Sequence, residues 1–203
     1  MNIDLTNFNK ISTGKQKIVI NAGFLCFGQY GYKKTSMQDI ANAAGISKAS
    51  LFQYFKSKKK MYLFLYDFAG KEVANRISEG TNDYFECAEM YVRSLADMSK
   101  DFPNLFDFLV VQSQRKDFPE VEELLDVANA VCQDNIDTLY SHVDWSRFRN
   151  GFDKETIQNL FNWITSGCIA QLSTEMPQEK VYDEMLRYLG LFKPAMYKSG
   201  YLK

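Results

Sequence analysis

Residues 35–60 read TSMQDIANAAGISKASLFQYFKSKKK, and their spacing predicts two short helices joined by a sharp turn. Ser36 precedes the first helix, and Asp39 three residues later can accept hydrogen bonds from the free amide groups at the helix start. Gly45 supplies the positive φ angle that an abrupt helix end needs, and Ser47 can cap the second helix. Two such helices followed by a lysine cluster are typical of a helix-turn-helix that contacts DNA.

The second of these helices has an apolar side and a polar side. Leu51, Phe52 and Phe55 are predicted to point inward at helical spacing. Four side chains then lie on or near the outward face: Lys48, Ser50, Gln53 and Tyr54. Ser57 can cap a following helix whose first turn holds residues 58–60, all lysine, where a nearby phosphate would offset the unfavourable helix dipole. The alternative interpretation is an ordinary helical hairpin with a solvated, lysine-rich corner.

The charge of the chain is unevenly distributed. Residues 1–60 contain ten lysines, no arginine and two aspartates, a net charge of +8, whereas residues 61–203 contain 14 basic and 23 acidic side chains, a net charge of −9. The whole chain therefore carries a formal charge of only −1. A basic segment joined to an acidic remainder indicates a module that contacts phosphates and a second part with another task.

Many fixed spacings agree at once between residues 15 and 65. The agreeing segments are VINAGFLCF (19–27), GY (31–32), TS (35–36), DIA (39–41), AGISK (44–48), LF (51–52) and YFKSK (54–58). This combination resembles the TetR family of bacterial transcriptional regulators. Two features depart from the family pattern: Ala49 stands where glycine is common, and Gln53 with Tyr54 replaces a common aromatic-histidine pair. The base preference therefore cannot be taken from a relative.

The resemblance implies an all-α protein with an N-terminal helix-turn-helix head and a C-terminal helical domain for effector binding and dimerisation. We place an N-terminal arm at residues 1–14, the three-helix DNA-binding head at 15–60 and the second domain at 61–203. The implied function is that of a repressor whose homodimer binds a pseudo-palindromic double-stranded DNA operator and is released by an unknown small-molecule effector. DNA contacts are expected from eight side chains: Ser36, Met37, Ser47, Lys48, Ser50, Gln53, Tyr54 and Lys58.

The remainder of the chain also has helical periodicity and no alternation typical of strands. The head begins with a helix near residues 15–29, in which Gly23 suggests a close approach of another helix. Further helices are predicted near 57–78, 83–99, 104–115, 119–143, 153–174 and 178–193, separated by glycine, proline and asparagine breaks.

Aromatic and isolated polar side chains within these helices are candidates for an effector pocket. Most aromatic residues at helical spacing belong to the core, but polar groups among apolar neighbours are costly to bury without a partner, and a ligand could provide one. The candidates are Tyr66, Tyr84, Phe106, Gln112, Asn129, Gln133 and Trp163. The alternative is that these polar groups face solvent.

The last two predicted helices carry a dimerisation signal. In residues 153–174 one apolar stripe suits the core, and a second stripe of mostly small residues needs another partner. We expect the dimer interface to include Trp163, Gly167, Ala170, Thr174, Met185 and Tyr188. The alternative is that both stripes pack within one subunit.

The residues needed for catalysis or metal binding do not assemble in this sequence. Cys26, Cys87, Cys132 and Cys168 are far apart and are expected to be buried free thiols, and His142 is the only histidine, so we expect no cofactor and no metal. The apolar run in the first helix is too short for a membrane span, and we expect a cytoplasmic, non-enzymatic protein. The alternatives are a helical small-molecule carrier or enzyme, and an architectural DNA binder without an effector.

Overall fold

The computed structural model describes residues 5–77, 81–113, 137–172 and 176–202. Its helices are α1 (Thr6–Asn9), α2 (Thr13–Lys34), α3 (Met37–Ala43), α4 (Lys48–Phe55), α5 (Lys58–Arg76), α6 (Tyr84–Asp101), α7 (Leu105–Ser113), α8 (Lys154–Leu172) and α9 (Gln178–Met196). Short 3₁₀ turns occupy Trp145–Arg147 and Ser199–Tyr201. Pairing of extended residues in the described ranges is limited to one isolated bridge between Phe148 and Tyr197. The all-α prediction is confirmed.

Most predicted helices begin within two residues of their observed starts. The largest difference is in α2, which continues to Lys34 although Gly31 leaves the helical conformation with φ 70°. The predicted helix at 119–143 falls mainly outside the described residues, where only 137–139 and the turn after them can be compared.

The packing divides the described chain into two compact units. The first comprises residues 5–72 and 98–113, and the second comprises 73–77, 81–97, 137–172 and 176–202. The domain boundary predicted at residue 60 is a division by function. The division into packing units does not test it, so it stays a prediction.

The core of the first unit is built around α2, which packs against α3, α5 and α7. Phe24 of α2 is fully buried, and its ring centroid lies 5.1 Å from that of Phe108 in α7. A Cβ atom added at Gly28 would lie 2.9 Å from the backbone nitrogen of Phe108. The backbones of α2 and α7 therefore approach each other closely at Gly28. At Gly23 an added Cβ would lie 2.8 Å from Leu65 Cδ1, which confirms the predicted close helix contact.

The second unit is organised around the buried carboxylate of Asp83 at the start of α6. Its Oδ1 accepts hydrogen bonds from the backbone N–H groups of Phe85 (2.9 Å) and Glu86 (3.2 Å), which caps the helix. Its Oδ2 forms ion pairs at 3.0 Å with both Arg147 and Lys193. This carboxylate therefore ties the start of α6 to the 3₁₀ turn at Trp145–Arg147 and to α9.

Candidate nucleic-acid interface

The first helix of the predicted DNA-reading motif starts with a capping box. The Ser36 hydroxyl accepts a hydrogen bond from the Asp39 backbone N–H at 3.2 Å, and the Asp39 carboxylate accepts one from the Ser36 backbone N–H at 2.8 Å. Hydrogen bonding of the Asp39 carboxylate with the Ser36 side chain and with the Ser36 backbone N–H lowers the pKa of the Asp39 carboxyl below its usual range, because it favours the charged form. The predicted start of α3 at Met37 is confirmed.

The turn between α3 and α4 also has the predicted construction. Gly45 adopts φ 65°, and the N–H of Ile46 donates to the carbonyl oxygen of Ala41 at 3.0 Å, which closes the end of α3. Ser47 then caps α4 by accepting a hydrogen bond from the Ser50 N–H at 3.0 Å. The two hydroxyl oxygens of Ser47 and Ser50 also lie 2.8 Å apart. The orientation of α4 is thus fixed by local hydrogen bonds at its first turn.

The buried side of α4 anchors this helix in the first unit. Leu51 and Phe55 are fully buried. The ring of Phe55 lies 4.9 Å from that of Phe8 in α1 and 5.1 Å from that of Phe64 in α5. Tyr54 is half-buried, 5.7 Å from the same Phe8 ring. Aromatic side chains therefore pack against the buried side of α4, and the opposite side of this helix is exposed.

The open side of α4 differs from the prediction at Phe52, which was expected to point inward. Phe52 is 38% exposed, because its position is about 100° around the helix from Leu51, and Leu51 and Phe55 already fill the core side. Lys48 and Gln53 are exposed beside it, as predicted. Helix phase alone places Phe52 at the boundary of the apolar stripe, which is the feature of the sequence that indicates its exposure.

Two of the eight expected DNA contacts occupy other environments. Met37 is only 5% exposed, because it shares the core side of α3 with Ile40 and Ala41 at helical spacing, so its side chain does not reach a surface. Lys58 was expected to hold a phosphate, but its ammonium group donates to the carbonyl oxygens of Tyr32 and Thr35, both at 2.9 Å.

The environment of Lys58 is a cap on the C-terminal end of α2. Its ammonium nitrogen also lies 4.4 Å from the centroid of the Tyr32 ring, and burial lowers the pKa of this lysine. Thr35 completes the same end by donating its hydroxyl hydrogen toward the carbonyl oxygens of Cys26 (2.8 Å) and Gly31 (2.7 Å). A cation on the last carbonyl groups of a helix is favourable with respect to the helix dipole, so Lys58 stabilises the head itself.

Five exposed lysines of the DNA-binding head lie between residues 33 and 59. They lie at the end of α2, on α4, just after α4 and in the first turn of α5: Lys33, Lys34, Lys48, Lys56 and Lys59. Among the described residues up to residue 60, the one acidic side chain is Asp39, and its carboxylate accepts a hydrogen bond in the capping box. The positive potential predicted from the sequence is therefore presented on a surface.

The described candidates for an effector pocket are divided between the two packing units. Tyr66 and Phe106 are buried in the first unit, whereas Tyr84 is buried in the second, with its ring 4.9 Å from that of Tyr140. Trp163 is 70% exposed on α8, so the single chain does not enclose its side chain, and its role in ligand binding stays a prediction. The Gln112 side chain, Asn129 and Gln133 lie outside the described residues.

The dimerisation candidates on α8 and α9 separate into outer and inner positions. Trp163 and Gly167 are exposed and Ala170 is half-buried on α8, while Tyr188 on α9 is half-buried. Met185 differs from the expected interface position. It is 1% exposed and packs inside the second unit, because it continues the buried stripe of Val181 and Leu189. Thr174 lies outside the described residues.

Other chemistry is sparse in the part of the chain that the structure describes. The thiols of Cys26, Cys87 and Cys168 are free and buried, as predicted, and burial raises their pKa values. Within the described ranges, no three histidine, cysteine or acidic side chains are grouped as metal ligands. The described helices also include none that is both long and apolar enough to cross a membrane.

Comparison with known proteins places the head in a family. Residues 19–65 match the model for bacterial regulatory proteins of the tetR family. The chain is 27% identical over 130 residues to YuxN, an uncharacterized HTH-type transcriptional regulator of Bacillus subtilis; the match covers 64% of this chain and 44% of YuxN. The chain thus spans less than half the length of this curated relative.

Solved structures share the fold at low sequence identity. SmeT, the repressor of the Stenotrophomonas maltophilia multidrug efflux pump SmeDEF, superposes with a TM-score of 0.65 at 15% identity, covering 94% of this chain and 93% of SmeT. The transcriptional regulator FadR from Bacillus subtilis, solved with stearoyl-CoA, has a TM-score of 0.63 at 14% identity, covering 85% of this chain and 96% of that structure.

Proposed function

Because the chain belongs to the TetR family of bacterial transcriptional regulators, we propose that it is a DNA-binding regulator whose helix α4 reads an operator sequence. One observation carries the proposal. Helix α4 is capped at Ser47, anchored by the buried Leu51 and Phe55, and presents Lys48 and Gln53 outward from a segment with a net charge of +8. A rigid helix with an open polar side suits the major groove, which admits one α-helix.

Roles for the individual side chains follow from their surroundings. Lys48 and Gln53 are the proposed base-reading residues, because both are exposed and have long side chains with hydrogen-bond donors. Ser50 is less available for bases, since its hydroxyl lies 2.8 Å from that of Ser47. Ser36 and Tyr54, at the edges of the motif, are proposed to contact phosphates and so fix the register of the head on the duplex.

We propose that the working form is a homodimer built on the outer face of α8. Trp163 is a large apolar side chain in open solvent, and the neighbouring Gly167 leaves room for the close approach of another helix. A two-fold dimer would place two copies of α4 on half-sites about one helical turn apart, which implies a pseudo-palindromic operator.

Repression and release by a small molecule complete the proposal. SmeT is a repressor, and FadR binds stearoyl-CoA, so relatives of this fold combine DNA regulation with a ligand. If effector and DNA prefer different conformations, each weakens the other by the same factor, typically worth about 1–3 kcal/mol. Access to DNA would place the protein in the cytoplasm.

The proposal is tested by selecting duplexes from a random pool with the purified full chain and repeating the binding across salt concentrations. An enriched palindrome with salt-sensitive affinity is expected. Salt-sensitive binding without an enriched sequence would favour an architectural DNA binder. Absence of binding to any duplex would contradict the proposed function and favour a small-molecule carrier or an enzyme.

A further inference from the structure

An exposed phenylalanine occupies the middle of the proposed reading surface. Phe52 is 38% exposed although the core side of α4 is filled by Leu51 and Phe55, which are fully buried. Its ring therefore remains partly in contact with water. Single exposed apolar side chains are common on proteins. The distinguishing feature of Phe52 is its position among the side chains proposed to read bases.

Phe52 shares the outward side of α4 with the side chains proposed to read bases. Lys48 precedes it by four residues, one helical turn, and the Lys48 ammonium nitrogen lies 6.0 Å from the centroid of the Phe52 ring. Gln53 follows directly and is exposed. A helix that inserts Lys48 and Gln53 into the major groove would carry the ring of Phe52 into the same groove.

The chemistry of the major groove offers a specific partner for this ring. Base edges there present hydrogen-bond donors and acceptors, and the apolar group among them is the C5-methyl of thymine. A phenyl ring has no hydrogen-bonding atom, so burying it against a polar base edge would leave that edge without its water partners. Contact with the thymine methyl removes apolar surface from water on both sides.

We propose, on the basis of the function proposed above, that Phe52 selects thymine in each half-site of the operator by packing its ring against the C5-methyl group. The thymine lies within about two base pairs of the base contacted by Lys48, because the four residues from Lys48 to Phe52 advance about 6 Å along the helix and successive base pairs are about 3.4 Å apart. Phe52 is thus a specificity-determining residue that reads shape and apolarity, whereas Lys48 reads hydrogen bonds.

The test replaces each thymine of the selected duplex in turn by deoxyuridine, which removes only the methyl group. For the wild-type protein we expect one thymine in each half-site at which this change weakens binding about fourfold, the effect of burying one methyl-sized group. The same change should have no effect on the Phe52→Ala variant, which already lacks the ring. Ile18→Ala, which removes another exposed apolar side chain, on α2, is the matched control and should behave like wild type.

The outcomes separate this inference from the proposed function. If the protein binds an enriched duplex but no thymine-to-uracil change alters affinity, the reading of the methyl by Phe52 is overturned while the proposed function stands. Methyl dependence that persists in Phe52→Ala overturns the assignment to Phe52. If no duplex is bound at all, the proposed function fails, and the inference fails with it. Equal thermal unfolding of wild type and Phe52→Ala verifies that the exposed ring is not needed for folding.

Discussion

The ammonium nitrogen of Lys58 lies 2.9 Å from the carbonyl oxygen of Thr35 and donates a hydrogen bond to it. A second bond of 2.9 Å joins the same nitrogen to the carbonyl oxygen of Tyr32. Lys58 is the first residue of α5, and these acceptors lie at the end of α2. The lysine therefore links two helices of the head at the point where the chain turns into the DNA-reading motif.

Lys58→Met is expected to destabilise the protein, because it keeps the apolar stem and removes the ammonium donor from the carbonyl oxygens of Tyr32, Lys33 and Thr35. The expected loss is about 2 kcal/mol in the free energy of unfolding, measured by urea denaturation. Lys59→Met is the control, since Lys59 is exposed, and should change stability by less than about 0.5 kcal/mol. A Lys58 that contacts phosphate instead would show unchanged stability and a shallower salt dependence of DNA binding.

Gly28→Ala tests the contact between α2 and α7. Alanine is normally the better helix former by about 1 kcal/mol, but here its Cβ would lie 2.9 Å from the backbone nitrogen of Phe108, which cannot move without shifting α7. We expect the free energy of unfolding, measured by thermal unfolding, to fall by about 2 kcal/mol. Gly14→Ala has open space around the added atom and should be neutral or stabilising. Equal effects at the two glycines would refute the close packing of α2 on α7.

The motif in residues 35–57 could be predicted in detail because its determinants are local. Ser36 and Asp39 bond to each other across three residues, Ser47 bonds to Ser50 in the same way, and Gly45 needs only its own backbone freedom. Such short-range rules do not depend on the rest of the fold. The starts of α3 and α4 therefore agreed with the prediction.

Three positions lie in environments that differ from those expected from the sequence, and tertiary contacts contribute to each difference. Lys58 finds its acceptors 23 and 26 residues earlier in the chain. Phe52 is displaced from the core because Phe55 already packs against Phe8 and Phe64. Met185 is buried in the core of the second unit. The environments of Lys58 and Met185 thus depend on residues distant in the sequence, whereas the exposure of Phe52 also agrees with the phase of its own helix.

Asp83 gives the second unit a predicted dependence on pH. Burial alone would raise the pKa of Asp83, but the hydrogen bond and charge of Lys193, with the N–H of Glu86 and the hydroxyl of Tyr197, lower it below its usual value. A carboxyl with a depressed folded-state pKa contributes stability that is present above its unfolded pKa, near 4, and is lost as the pH falls through the folded value.

Asp83→Asn should therefore cost about 3 kcal/mol in free energy of unfolding at pH 7, because Arg147 and Lys193 lose their counter-charge. The difference from wild type should shrink as the pH falls below about 4 and through the lowered folded-state pKa of Asp83, because the wild-type carboxyl then becomes neutral too. Urea denaturation of both proteins at a series of acidic pH values measures this difference in the free energy of unfolding. A difference that does not change with pH would show that the charge of Asp83 is not the stabilising feature. Asp183→Asn, at an exposed site on α9, serves as the control.

Trp163→Arg tests the proposed dimer face. The indole is 70% exposed in the single chain, so its replacement should leave the folding of the subunit intact. In the dimer it would place like charges at a two-fold interface and weaken association by a factor of ten or more, measured by sedimentation equilibrium. The control is Ile18→Arg, an exposed apolar position in the first unit. A wild-type protein that sediments as a monomer, or a variant that dimerises normally, would contradict an interface at Trp163.

Lys48 gives the most direct test of operator reading by α4. The measurement compares the affinities of wild type and Lys48→Ala for the selected duplex and for a scrambled duplex of equal length at fixed salt. We predict that wild type prefers the selected duplex by a factor of about 10³ or more, and that Lys48→Ala loses about tenfold on that duplex and less on the scrambled one. Equal affinity of the wild-type protein for the two duplexes, or a variant that keeps the full preference, would contradict base reading by this helix.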